Sequence, residues 1–254
     1  MMKNIKYIKL SVKGINIKPL HEFNGSAVRG TLGWALKRVD ESVFEMFYNK
    51  DNASSKYRLE IDFNTYDFSI YLFNECIKYT PYFALAIEQM RVLGLGVNRQ
   101  KFDYEKILLN DEPFMDNKGE VLNKDIKSLE LNPQSHHKNI KVIFKTPFMI
   151  NDKNADFNPL SFFISLKRRI NEINGINEKV FFDDNFSYSQ SLSDYKLLRY
   201  SNNQGRKMNF HAKIGEVEFI SLDDECVKLL EIASITGVGK HTAFGFGKII
   251  LERI

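Results

Sequence analysis

The stretch "GVGKHTAFGFGKIILERI", residues 237–254, decides how the chain is read. Its first eleven positions hold four glycines, Lys240 and His241, and an apolar run follows. The glycines suggest a phosphate cradle, but neither common nucleotide motif fits. A P-loop requires G-x-x-x-x-G-K-[ST]. Counting back from Gly239 and Lys240, its first glycine falls on Ser234, and His241 stands after the lysine. A dinucleotide fingerprint fails too, because Thr242 occupies the place of the third glycine. No nucleotide cofactor is expected. The stretch makes better sense as a helix-to-strand junction: residues 223–234 have helical spacing, and "AFGFGKIILERI" reads as a strand.

Working outward, "IKVIFKTPF" (140–148) reads as a strand and 159–174 as a helix. A long irregular stretch then leads to two strands, about 207–213 and 215–221, giving the order β-α-β-β-α-β. The N-terminal half repeats it. Residues 6–13 alternate, with Ile8, Leu10 and Val12 on one face. "NGSAVRGTLGWALKRVD" follows as a helix with Ser26 as its N-cap and Val28, Leu32, Leu36 and Val39 as its stripe. Strands at 57–63 and 66–73 turn at "NT", and a helix over 80–93 ends on Gly94 to Gly96 as a glycine cap should. A strand at 101–108 closes the half. "LGLGVNRQKF" and "TGVGKHTAFGFG" hold the same place in the two halves. The expected fold is therefore α+β: tandem ferredoxin-like βαββαβ domains with a C-terminal glycine-rich loop at 237–247. Expected boundaries are 1–125 for the N-terminal domain, 126–139 for a polar linker and 140–254 for the C-terminal domain.

Composition narrows the partners. A net charge of +4 permits an anionic partner without requiring one. Its clustering says more: Tyr195 to Gly215 holds Lys196, Arg199, Arg206, Lys207 and Lys213 and no acidic residue, the pattern of an anion-binding surface. Cys76 and Cys226 lack metal-ligand spacing, so no metal site is expected and both read as small buried hydrophobes. No apolar run approaches membrane-spanning length and the N-terminus has no signal-peptide core, so a cytoplasmic protein without a membrane partner is expected.

"LRYSNNQGRKMNFHAKIGEVEF" followed by "GVGKHTAFGFGKI" resembles the CRISPR-associated endoribonucleases that process precursor CRISPR RNA, members of the RAMP superfamily. "GSAVRGTLGWALKR" and "LGLGVNR" are similar to motifs of the same family. The resemblance implies two RRM-like domains, CRISPR repeat RNA as substrate, and a metal-independent cut. In that cut a 2′-hydroxyl attacks the adjacent phosphate, leaving a 2′,3′-cyclic phosphate. It leaves room for CRISPR effector subunits as partners and for a homodimer. On it, Gly237, Gly239, Gly245 and Gly247 with Lys240, His241 and Lys248 would hold RNA backbone. Arg199, Arg206, Lys207 and Lys213 would meet phosphates, and Tyr200 or Phe210 would stack on bases. His21, just before the first helix, is the first candidate for proton transfer and His211 the second, with Arg29 and Lys37 as candidate charge stabilisers. Relatives often carry a histidine in a G-H-A-L pattern where this chain reads "GWAL". Trp34 cannot exchange a proton, so a non-catalytic RAMP-type guide-RNA-binding subunit is the alternative. A third reading, a double ferredoxin-like protein with a small-molecule ligand, gives the basic segment and the loop no common purpose.

Overall fold

A computed structural model describes residues 4–15, 23–48, 56–96, 98–133, 137–150, 156–180, 186–201 and 206–254, with the backbone alone at 198–201 and 206–209. The chain divides into two compact units. One comprises residues 1–131 with Ala243–Gly245, and the other comprises Asn132–Thr242 with Phe246–Ile254.

The first unit runs β1 (Lys6–Gly14), α1 (Gly25–Val39), α2 (Glu41–Tyr48), β2 (Tyr57–Ile61), β3 (Phe68–Phe73), α3 (Thr80–Leu93), β4 (Tyr104–Leu109), β5 (Glu112–Asp116) and β6 (Leu129–Glu130). Its sheet has the order β2-β3-β1-β4-β5, with β6 also on β1, and the pairs are antiparallel. Putting the first strand at the centre is the ferredoxin-like arrangement. Period-two burial in β1 and the helical stripes converge physically: Ile8, Leu10 and Val12 share a core with Val28, Leu32 and Leu36 of α1 and Phe83, Ile87 and Met90 of α3.

Two local readings are corrected here. Asn24, not Ser26, is the N-cap of α1, because the Asn24 carbonyl already accepts the Val28 N–H at 3.0 Å. The polar segment after β4 also holds structure. β5 pairs with β4, and Leu129–Glu130, within the stretch read as linker, pairs with Tyr7 and Lys6 of β1.

The second unit runs β7 (Ile140–Phe148), α4 (Pro159–Ile173), β8 (Ser187–Ser201), β9 (Arg206–Ile220), α5 (Asp224–Thr236) and β10 (Ile249–Arg253). The order β10-β7-β9-β8 is the same topology again. Phenylalanine fills its core. Phe162 of α4 lies edge-on to Phe144 of β7 at 6.0 Å and stacked on Phe219 of β9 at 6.1 Å. Both helices begin on a polar cap: Asn158 accepts the Ser161 N–H at 2.7 Å and Asp223 the Cys226 N–H at 2.6 Å. Cys76 and Cys226 are buried and unlinked, and burial with neighbouring Glu75 raises the Cys76 thiol to about 11.

The irregular stretch expected before β9 is largely strand β8, and the two strands expected beyond it are one. Gly215 reads as a break in sequence, yet it sits inside β9 opposite Leu192. A Cβ there would lie 2.1 Å from the Ser191 carbonyl oxygen, so the glycine permits close strand approach. β7 supports β9 only from Lys213 to Phe219. From Arg206 to Ala212, β9 pairs with β8 alone, forming a two-stranded arm.

Candidate nucleic-acid interface

The glycine-rich loop starts where α5 ends. Gly237 takes φ 80°, and its N–H caps the Ala233 carbonyl at 2.8 Å. The following N–H groups are used by the protein itself. Val238 donates to the Gly247 carbonyl (3.0 Å), Lys240 to Met149 (2.7 Å), Phe246 to His241 (3.4 Å) and Gly247 to Pro147 (2.9 Å). Lys248 donates to Thr146 Oγ1 at 2.9 Å. The glycines are needed for these approaches. A Cβ at Gly239 would lie 2.4 Å from the Met149 oxygen, and one at Gly247 would lie 2.0 Å from that of Val238. The expected cradle of N–H groups is therefore corrected at Val238, Lys240, Phe246, Gly247 and Lys248. A donor already satisfied by a protein oxygen has nothing left for a phosphate.

Side chains give the loop its remaining chemistry. Lys240 is exposed and Lys248 half-buried. His241 takes φ 65°, and its ring stands edge-on to Phe210 at 4.7 Å and Phe246 at 6.1 Å. Phe210 is buried. It is part of this aromatic packing and no stacking platform, contrary to expectation. Ala243 joins the first unit's core, and Gly245 packs its Cα against Ile61.

Arg29 meets that same segment within the first unit. Its guanidinium lies between the rings of Tyr48, 4.6 Å away, and Phe244, 4.4 Å away, and its carbonyl accepts the Tyr48 hydroxyl at 2.9 Å. An arginine held between two rings is a packing element of α1. Lys37, at the last turn of α1, pairs with Glu41 at 2.9 Å.

On the two-stranded arm, His211 and Lys196 are opposite one another and both exposed. Lys213 pairs with Asp194 at 3.2 Å, so an acid just upstream of the basic run offsets one of its charges. The backbone register puts Tyr200 opposite Lys207, Ser201 opposite Arg206 and Arg199 opposite Met208. His21 lies outside the described residues.

What sequence reasoning missed is the exposure of Trp34. This residue falls off the buried stripe of α1 and is 68% exposed, with Lys37 and Arg38 exposed in the next turn. Its signal in the sequence was its phase, opposite Val28, Leu32 and Leu36. Among the described residues, no group of three or more His, Cys, Asp or Glu converges to hold a metal ion, and no helix is long and apolar enough to cross a membrane.

These observations define a class first: two ferredoxin-like units, with a glycine loop that serves the fold and a run of basic residues along one two-stranded arm. Solved structures carry the same fold over their full length. The Thermus thermophilus Cas6 structure is 13% identical with TM-score 0.56, covering 98% of each chain. Cas6b is 16% identical with TM-score 0.55, covering 98% of this chain and 99% of that one. A RAMP protein described as binding different RNA substrates is 13% identical with TM-score 0.53, covering 97% and 99%. Residues 142–249 match the model of the CRISPR-associated endoribonuclease Cas6, and residues 52–134 match a model described as an N-terminal domain. The former segment of the chain is similar to the Cas6 endoribonuclease family. A comparison with curated proteins finds no match.

Proposed function

We propose that the protein binds CRISPR repeat RNA and cuts precursor CRISPR RNA within each repeat. The observation that carries this reading is the Cas6 endoribonuclease match over residues 142–249. The basic arm and exposed Lys240 support it, since RNA affinity is built largely on phosphate contacts. RNA supplies its own nucleophile. A general base takes the proton of a 2′-hydroxyl, its oxygen attacks the adjacent phosphorus, and a general acid protonates the departing 5′ oxygen. The products are a 2′,3′-cyclic phosphate and a 5′-hydroxyl. Such a reaction requires charge stabilisation and proton transfer and needs no metal. His211, exposed beside Lys196, and His21 are the candidates for proton transfer. Lys240 and the basic residues of the arm are the candidates for phosphate contact.

One observation favours a second reading. Trp34 stands in the first helix where the family resemblance leads one to look for a histidine, which suits a non-catalytic subunit that grips guide RNA. Cleavage of the cognate repeat RNA in EDTA separates the two. The active reading requires a cut that is abolished by one 2′-deoxy substitution at the nucleotide before it. Tight binding without a cut would sink the catalytic claim and leave the binding subunit.

A further inference from the structure

We infer that Trp34 is a stacking platform for an unpaired RNA base, on a surface of α1 that Gly30 keeps clear. This rests on the RNA-binding reading above and adds a contact that reading does not supply. The indole is 68% exposed, which is unusual for the chain's single tryptophan. Among the described residues no ring or cation lies against it. Side chains on a helix lean towards its N-terminus, over the residues three and four before them. For Trp34 those are Thr31, which is buried, and Gly30, which is exposed.

Nothing among the described residues requires a glycine at position 30: a Cβ there would meet none of them within 4 Å, and its φ is not positive. Apart from proline, glycine is the worst choice for a helix interior, so the sequence accepts a weaker helix to leave this spot bare. What it leaves is a flat ledge one turn below a large ring. Thr31 fixes the neighbouring loop beside it: its hydroxyl donates to the Gly94 carbonyl at 3.1 Å and accepts the Gly96 N–H at 3.2 Å. That loop carries exposed Arg99, and the turn above carries exposed Lys37 and Arg38. Lys37 is offset by Glu41 at 2.9 Å, but among the described residues no salt bridge involves Arg38 or Arg99, so two cations without an acidic partner stand on the elements next to Trp34. An exposed indole with Arg38 and Arg99 on the neighbouring turn and loop suits a base with its phosphates better than an apolar protein face, which would bury those two charges unpaired.

A single tryptophan makes the test direct. The full-length protein is titrated with its cognate repeat RNA, reading both indole fluorescence and binding by filter retention. Quenching of the indole on binding, with Trp34→Ala weakening affinity roughly 5- to 100-fold and Trp34→Phe recovering most of it, is the expected result. Gly30→Leu should raise the melting temperature and weaken RNA binding at once, a pairing that a purely structural position would not give. RNA binding with unchanged fluorescence and unchanged affinity in Trp34→Ala would overturn the platform and leave the RNA reading standing. Absence of RNA binding by the wild-type protein would overturn both. Fluorescence that shifts with protein concentration alone, and self-association lost in Trp34→Ala, would assign the ring to a second copy of the chain and overturn the inference.

Discussion

The two halves end their last helices, α3 and α5, in the same way and then part company. Gly94 (φ 71°) and Gly237 (φ 80°) each cap the helix through an N–H to the carbonyl four residues back, at 2.9 and 2.8 Å. The next residue is buried in both, Leu95 and Val238, and a second glycine, Gly96 or Gly239, takes φ 68°. In the first unit the loop closes at once, with Leu95 and Gln100 exchanging both backbone hydrogen bonds at 2.7 and 2.9 Å. In the second it runs on to Gly247 before returning to Val238 at 3.0 Å. The shared G-x-G is thus a device of the fold, a way to leave a helix and start an edge-to-edge contact. The extra residues of the longer loop are what could distinguish the protein functionally.

Substitutions can break or sharpen that comparison. Gly247→Ala should be the most damaging. It combines a positive φ with a Cβ 2.0 Å from a backbone oxygen, and a loss of about 3 kcal/mol or more is expected in urea denaturation. Next, Gly239→Ala should cost more than its counterpart Gly96→Ala. The former meets a carbonyl at 2.4 Å and the latter only the Ala27 methyl at 3.4 Å, so roughly 2–3 against 1 kcal/mol is expected. Equal costs would show that conformation alone sets the penalty. Phe244→Ala removes the ring over Arg29 and should cost about 1–2 kcal/mol. Lys240→Ala should leave stability within about 0.5 kcal/mol. In RNA titrations at several salt concentrations it should lower the salt slope by about one phosphate, separating the loop's charge from its glycines.

What the sequence made legible followed from period and punctuation. The apolar stripes of α1 and α3 and the alternation in β1 reflect real burial, so both helices and the central strand could be read. β8 could not. It is an edge strand whose described residues are mostly exposed, so "SYSQSLSDYK" has no alternating apolar face to betray it. α2 hides for a different reason. Its eight residues are too few for a clear stripe, although Asp40 accepts the Ser42 and Val43 N–H groups and marks its start. The loop's glycines were visible, but their purpose was not. Whether an N–H faces a phosphate or a carbonyl depends on residues near Met149, about ninety positions away in sequence. Trp34 was noticed for the proton it lacks, while its exposure required the packed core to be seen.

The arm formed by β8 and β9 has a consequence for how order is distributed. Two strands of fifteen residues each begin on the sheet and finish on one another, and an isolated two-stranded ribbon is marginal in water. Amide-hydrogen exchange should therefore slow steadily from the Arg206–Ser201 end to the Ile220–Ser187 end. A guest that aligns the outer half must spend part of its binding energy on conformational entropy. Affinity for a correct guest would then be moderate, and discrimination against one that cannot align the whole arm correspondingly sharp.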